Sequence, residues 1–151
     1  MRKLRKDEKQ RGQAMVEFAL ILPLLLIITF IIVDFGFAFS KWVIVTNAAR
    51  EGARFGAIGA PLDQVVARTV ESSNGILTTA DVKAVYIDRN GNATADRGDH
   101  VAVRATHNYE LLTPLEPLLK LTGFSPIALY ACSDMRLEIK VVGAPAGGGG
   151  C

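Results

Sequence analysis

The polarity of the chain changes abruptly at two places. Residues 2–11 are dense in charge, whereas from Ala14 to Val33 the only ionisable residue is Glu17. From Asp34 onward polar and apolar positions mix again. An apolar run of about 20 residues makes a helix about 30 Å long, the thickness of a bilayer's hydrocarbon core. A helix that is apolar all round offers water no face. The pattern predicts a membrane span over about residues 14–37. The competing reading, a central core helix of a soluble domain, needs more chain to wrap it than this sequence supplies. Pro23 removes one helix hydrogen bond and predicts a bend, which neighbouring helices can repair.

Beyond the span, Asp34, Phe35, Gly36, Phe37, Phe39, Lys41 and Trp42 carry the ring-rich composition of a membrane–water interface. Asp34 at this rim either stays hydrated or meets Lys41. The helix is expected to continue to residue 60. Ala48, Gly52, Gly56 and Ala60 recur every fourth residue and share one face, a small-residue stripe that permits close approach. Arg50 and Arg54 form a second stripe, suited to carboxylate partners. Mid-helix glycine is unfavourable by up to about 1 kcal/mol relative to alanine, so a packing reason is expected. The stripe docks either on a partner subunit or on the protein's own sheet.

Pro61 closes that helix. Leu62 to Asn74 reads as a short amphipathic helix with Leu62, Val65, Val66, Thr69 and Val70 on one side, stopped at Asn74-Gly75. The periodicity then shortens. Val82 to Ile87 and Val101 to Thr106 read as strands, with turn chemistry at Asn90-Gly91-Asn92 and Arg97-Gly98-Asp99 between them. Leu111 to Leu121 contains Pro114 and Pro117 and reads as a loop with one helical turn. Ile127–Cys132 and Met135–Val142 read as two strands, or one long strand bent at Ser133-Asp134. The expected fold is α+β: a long N-terminal transmembrane helix running into a small domain with a short helix and an antiparallel sheet. Its parts are a basic leader at 1–12, the long helix at 13–60, the α+β domain at 61–142 and a flexible glycine-rich tail at 143–151.

Charge fixes the expected orientation. Half of the residues are apolar and the net charge is +2. The leader holds Arg2, Lys3, Arg5, Lys6, Lys9 and Arg11 against Asp7 and Glu8, so it carries +4 and the remainder −2. The basic excess belongs to the leader, and the domain has no nucleic-acid footprint. Cations before the span and only Lys41 soon after it predict a cytoplasmic N terminus and an exported domain. A secretory signal peptide cut near Ala38-Phe39-Ser40 is the alternative, but the apolar run exceeds the ordinary length of about 7–15 residues.

Few residues suggest chemistry. His100 and His107 have no metal-ligand spacing around them, and no nucleophile elbow, phosphate loop or CxxC is present. No cofactor, metal or catalytic set is expected, and the chain does not read as an enzyme. Asp88 to Asp99 places oxygen side chains at several positions of a calcium loop, but lacks its sixth-position glycine and closing glutamate. A plain hairpin loop is the better reading. Cys132 and Cys151 are the two cysteines. They either pair with each other or remain free or intermolecular thiols.

Glu17 is the defect in the span. A carboxylate there costs several kcal/mol unless it sits at an interface or finds a partner. It is either a snorkelling acid favoured by the helix macrodipole or the partner of a new cation. Cleavage after Gly12 would create that cation, the α-ammonium of Gln13, and make Glu17 the fifth residue of the mature chain.

Arg11-Gly12-Gln13-Ala14-Met15-Val16-Glu17-Phe18-Ala19-Leu20-Ile21-Leu22-Pro23 resembles the type IV prepilin signature and, more narrowly, the start of TadE-like pseudopilins of tight-adherence (Tad) pili. Asn47-Ala48-Ala49-Arg50-Glu51-Gly52-Ala53-Arg54-Phe55-Gly56-Ala57 is similar to a second block of that family. The resemblance implies a pilin-like layout and cleavage between Gly12 and Gln13 by a prepilin peptidase. It also implies Glu17 acting in assembly with other pilins, pseudopilins and the pilus machinery, from a single-pass anchor in the cytoplasmic membrane. The alternative is an uncleaved bitopic envelope protein whose exported domain binds partners.

Overall fold

The computed structural model describes residues 4–121, 123, 127–141, 147 and 149–151. The first three leader residues, positions 122 and 124–126, Val142, and tail positions 143–146 and 148 lie outside the described residues. The element order is α1 (Leu4–Ala57), α2 (Leu62–Glu71), a 3-10 turn (Thr79–Asp81), β1 (Val82–Ile87), β2 (His100–Tyr109), α3 (Leu115–Leu121) and β3 (Ile127–Arg136). The fold is α+β with a pilin-like layout: a long apolar N-terminal helix followed by a three-stranded antiparallel sheet. The helix takes in the charged stretch from Leu4, where Leu, Arg, Lys, Glu and Gln are all strong helix formers.

Two compact units divide the chain. One comprises Met1–Phe37 with Leu111–Ser125; the other comprises Ala38–Glu110 with Pro126–Cys151.

In the second unit the sheet order is β1-β2-β3, and the register lines up three rows on one face. These rows are Tyr86–Val101–Met135, Ala84–Val103–Ser133 and Val82–Ala105–Ala131. The helices cover this face. Val45, Ala48, Ala49 and Ala53 of α1 and Val65 of α2 pack with Val82, Val103, Ala105 and Ala131 in one apolar cluster. Ala57 joins Tyr86, Val101, Leu137 and Val141 in a second. The opposite face carries the rows Lys83–Arg104–Cys132, Val85–Ala102–Asp134 and Ile87–His100–Arg136, and mixes charged side chains with the buried Ala102 and Ile87.

β3 is one strand straight through Ser133-Asp134, because both residues keep register with Val103 and Ala102 of β2. It ends at Arg136. Leu137 to Val141, expected as strand, is coil whose amides are used elsewhere. Leu137 N donates to Asp99 O at 2.7 Å, Glu138 N to Ala57 O at 2.9 Å, and Val141 N to Ala95 O at 2.9 Å. The Glu138 bond satisfies one of the carbonyls left open at the end of α1. Gly59, with φ +85°, then turns the chain out of the helix.

Candidate functional site

α1 runs unbroken through Gly12, Gln13 and Pro23. Gln13 and Glu17 are exposed, and Glu17 makes no ion pair with a described residue. Large apolar side chains stand out around the helix: Met15, Phe18, Leu20, Leu24, Ile28 and Ile32 are all exposed. Residues 13–57 form a helix long and apolar enough to cross a membrane. The one hydroxyl between Ala14 and Val33 is handled locally, since Thr29 Oγ1 donates to Leu25 O at 2.8 Å.

Further along, the size of the side chains changes. Ala48, Gly52 and Gly56 are buried and Ala60 is half-buried. A Cβ on Gly52 would collide with the Thr69 side chain of α2 and come 3.5 Å from Val65 O. A Cβ on Gly56 would lie 2.8 Å from Val101 Cγ2 on β2 and 3.3 Å from Val65 Cγ2. The stripe is therefore occupied by this chain's own α2 and sheet. Arg50 and Arg54 are exposed and pair with no described carboxylate within 4.0 Å. The cation that joins α1 to α2 is Arg68, which reaches Glu51 and Glu71, both at 3.1 Å. Donating hydrogen bonds to Glu51 first, then to Glu71, holds the Arg68 guanidinium above its ordinary value.

Residues 12–54 match the family model described as TadE-like protein. The N-terminal segment is TadE-like. The match opens on Gly12 and takes in Glu17, the whole apolar run and the start of the small-residue stripe. No curated protein and no solved structure matches the chain.

The TadE-like segment ends before the remaining features. Cys132 and Cys151 form a disulfide with Cα atoms 5.7 Å apart. The tail is fastened at two more points: Gly147 N donates to Tyr86 O at 2.8 Å, and Arg104 donates to the carbonyls of Gly149 and Gly150.

The Asp88–Asp99 loop is closed by its own amides. Asp88 accepts from the amides of Asn90 at 2.9 Å, Gly91 at 2.6 Å and Ala93 at 2.7 Å. Asp96 accepts from the side chains of Asn90 at 2.8 Å and Asn92 at 2.6 Å. Asp99, fully buried, accepts from Arg89 N and Asp96 N, both at 2.9 Å. These bonds hold Asp88 and Asp99 below the usual carboxylate range, led by the Ala93 amide for Asp88 and the Arg89 amide for Asp99. The Asp88 and Asp99 carboxylate oxygens face amide hydrogens. His100 Nδ1 lies 2.7 Å from Asp134. Among the described residues, no group of three His, Cys, Asp or Glu side chains is placed to hold a metal.

Sequence reasoning passed over the role of Asp34. It is buried, at 4% exposure, and accepts from Leu112 N at 2.9 Å, Thr113 N at 3.3 Å and Thr113 Oγ1. Lys41, its expected partner, lies over the Tyr109 ring, 5.3 Å from the centroid. An acid directly after an apolar run, and a Thr-Pro pair opening a distant helical turn, were the available signals.

Proposed function

We propose that this protein is a minor pilin-like subunit, a pseudopilin, in the biogenesis of a tight-adherence pilus or a related secretion system. The observation that carries the reading is the TadE-like match over residues 12–54, which spans the Gly12–Gln13 junction, Glu17 and the apolar run together. A prepilin peptidase cuts after Gly12, where the absent side chain lets catalytic groups approach the following bond. The leader stays in the cytoplasm by its charge, α1 anchors the subunit, and the α+β unit is exported. The function lies in interfaces, with no substrate turned over.

Glu17 serves assembly in this proposal. It is exposed and has no ion-pair partner among the described residues of its own chain. Its carboxylate neutralises the Gln13 ammonium of a neighbouring subunit in poorly hydrated surroundings, where removing one partner costs about 3–5 kcal/mol.

The test is the N-terminal residue of the mature protein from cells, read with its co-purifying pilins. The parent should start at Gln13. Gly12→Val should insert normally yet keep its leader. Glu17→Gln should be cleaved but recover fewer partner pilins. A Gly12→Val chain that still begins at Gln13 removes the cleavage assignment. A parent chain that keeps its leader favours the uncleaved bitopic protein.

A further inference from the structure

We propose that Leu111–Leu121, the connection between β2 and β3, is a second membrane contact: a short lipid-facing foot seated in the interface of the bilayer that α1 spans. The inference rests on the reading of α1 as a membrane span. Six of the eleven residues from Leu111 to Leu121 are leucine. Leu112 is 71% exposed and Leu121 85% exposed, so the foot does not bury them against its own chain. Helix α3 is too short to cross a bilayer, which leaves lying at the surface as its way of meeting lipid.

The position of the foot comes from α1. Asp34 is the first ionisable residue after Glu17. Their spacing along the helix corresponds to about 25 Å, close to the hydrocarbon thickness of about 30 Å. Asp34 therefore marks the outer edge of the hydrocarbon, and the amides of Leu112 and Thr113 are bonded directly to its carboxylate. Leu111–Ser125 falls in the same compact unit as Met1–Phe37.

The polar groups of the foot are prepared for poor hydration. At the level of the acyl chains, each unsatisfied backbone donor costs several kcal/mol. Asp34 takes two amides and the Thr113 hydroxyl. Pro114 and Pro117 have no amide hydrogen to satisfy. Glu116 and Lys120, the two charges of the segment, pair at 2.5 Å one helical turn apart. With Leu112 and Leu121 exposed and no net charge, the foot suits the acyl boundary and gives an acidic or basic protein partner nothing to select. A second copy of this chain is the competing occupant.

Tryptophan placement in the full chain tests this. Trp42 is replaced by phenylalanine, and one tryptophan is placed by Leu121→Trp, Leu25→Trp or Lys83→Trp. Each variant is put in nanodiscs of ordinary or acyl-brominated phosphatidylcholine. The expected result is loss of most emission in brominated lipid for Leu25→Trp and Leu121→Trp, and no loss for Lys83→Trp. Adding Asp34→Ala should reduce the Leu121→Trp quenching and leave that of Leu25→Trp intact. Quenching of Leu25→Trp without Leu121→Trp overturns the foot and keeps the span; a copy-to-copy contact gives that pattern. No quenching of Leu25→Trp overturns the span and the foot with it. Unchanged Leu121→Trp quenching in the Asp34→Ala chain overturns the positioning by Asp34.

Discussion

One helix holds two opposite packing schemes. Between Ala14 and Val33, α1 carries large aliphatic and aromatic residues, and all but the half-buried Leu22 and Phe30 are exposed. Between Val45 and Ala57 it carries alanine and glycine, and Val45, Ala48, Ala49 and Ala53 are almost wholly buried. The first stretch meets its surroundings with side chains that can adjust to any apolar neighbour. The second brings backbone against fixed neighbours, Thr69, Val65 and Val101. Hydrophobicity ranks the first stretch as the more core-like, yet the core lies along the second. Size, read at every fourth position, is what separates a stretch that packs from one that only partitions.

The largest expected effect comes from placing the chemistry of the first stretch into the second. Gly56→Val puts a branched side chain where a single Cβ already stands 2.8 Å from Val101 and 3.3 Å from Val65. Overpacking of this kind costs about 1–3 kcal/mol, and neighbours on both β2 and α2 place this site near the upper end. Leu25→Ala, in the exposed stretch, should leave the stability of the α+β unit unchanged. Denaturant melts of the full chain in detergent, followed by sheet-sensitive circular dichroism, compare the two. Equal midpoints for both variants would mean that the two stretches of α1 do not differ in how they pack.

Much of this arrangement was legible in the sequence. The apolar run, the fourfold small-residue spacing and the Val82–Ile87 strand depend on local patterns, and local patterns are what sequence reading detects. The stripe's partner was not legible, because a run of small residues fits a neighbour subunit and an internal sheet equally well. The end of β3 at Arg136 was obscured because Leu137 and Val141 alternate like strand residues, although their amides bond to Asp99 and Ala95. The Asp34 carboxylate finds Leu112 and Thr113 at sequence separations of 78 and 79 residues, and nothing in its immediate neighbours announces them.

An intermediate effect is expected at Asp99, where the comparison is between buried polar and buried apolar groups. Its carboxylate receives the Arg89 and Asp96 amides from a fully buried position. Those bonds depress its folded-state pKa, so its contribution is present above the unfolded value of about 3.9 and fades as pH falls through the lower folded value. Asp99→Asn keeps the size but turns an amide donor toward one of the two backbone donors. The expected loss is about 1–2 kcal/mol at neutral pH, as for a buried donor left unsatisfied. The parent should lose stability below about pH 4 more steeply than the variant. Melts at pH 7 and pH 3 measure both, and parallel acid profiles would deny Asp99 this role.

The smallest expected effect concerns the other tie between α1 and α2. Gly52 and Arg68 join the same two helices by different means: one by contact of buried backbone, the other by charges at the surface. Arg68 spans Glu51 and Glu71 at 3.1 Å each, but all three side chains are substantially exposed. Water and salt weaken exposed pairs, and holding three long side chains in one geometry carries an entropy cost. Arg68→Gln should therefore shift the thermal midpoint only slightly in dilute buffer. Raising the salt should shrink the difference further. Gly52→Ala, which forces a Cβ into the Thr69 side chain, should shift it more and keep that shift at any ionic strength. Melts of both variants across a salt series make the distinction. A Gly52→Ala shift that fades with salt, or an Arg68→Gln shift that persists, would mean that charge, and not close backbone approach, fastens α2 to α1.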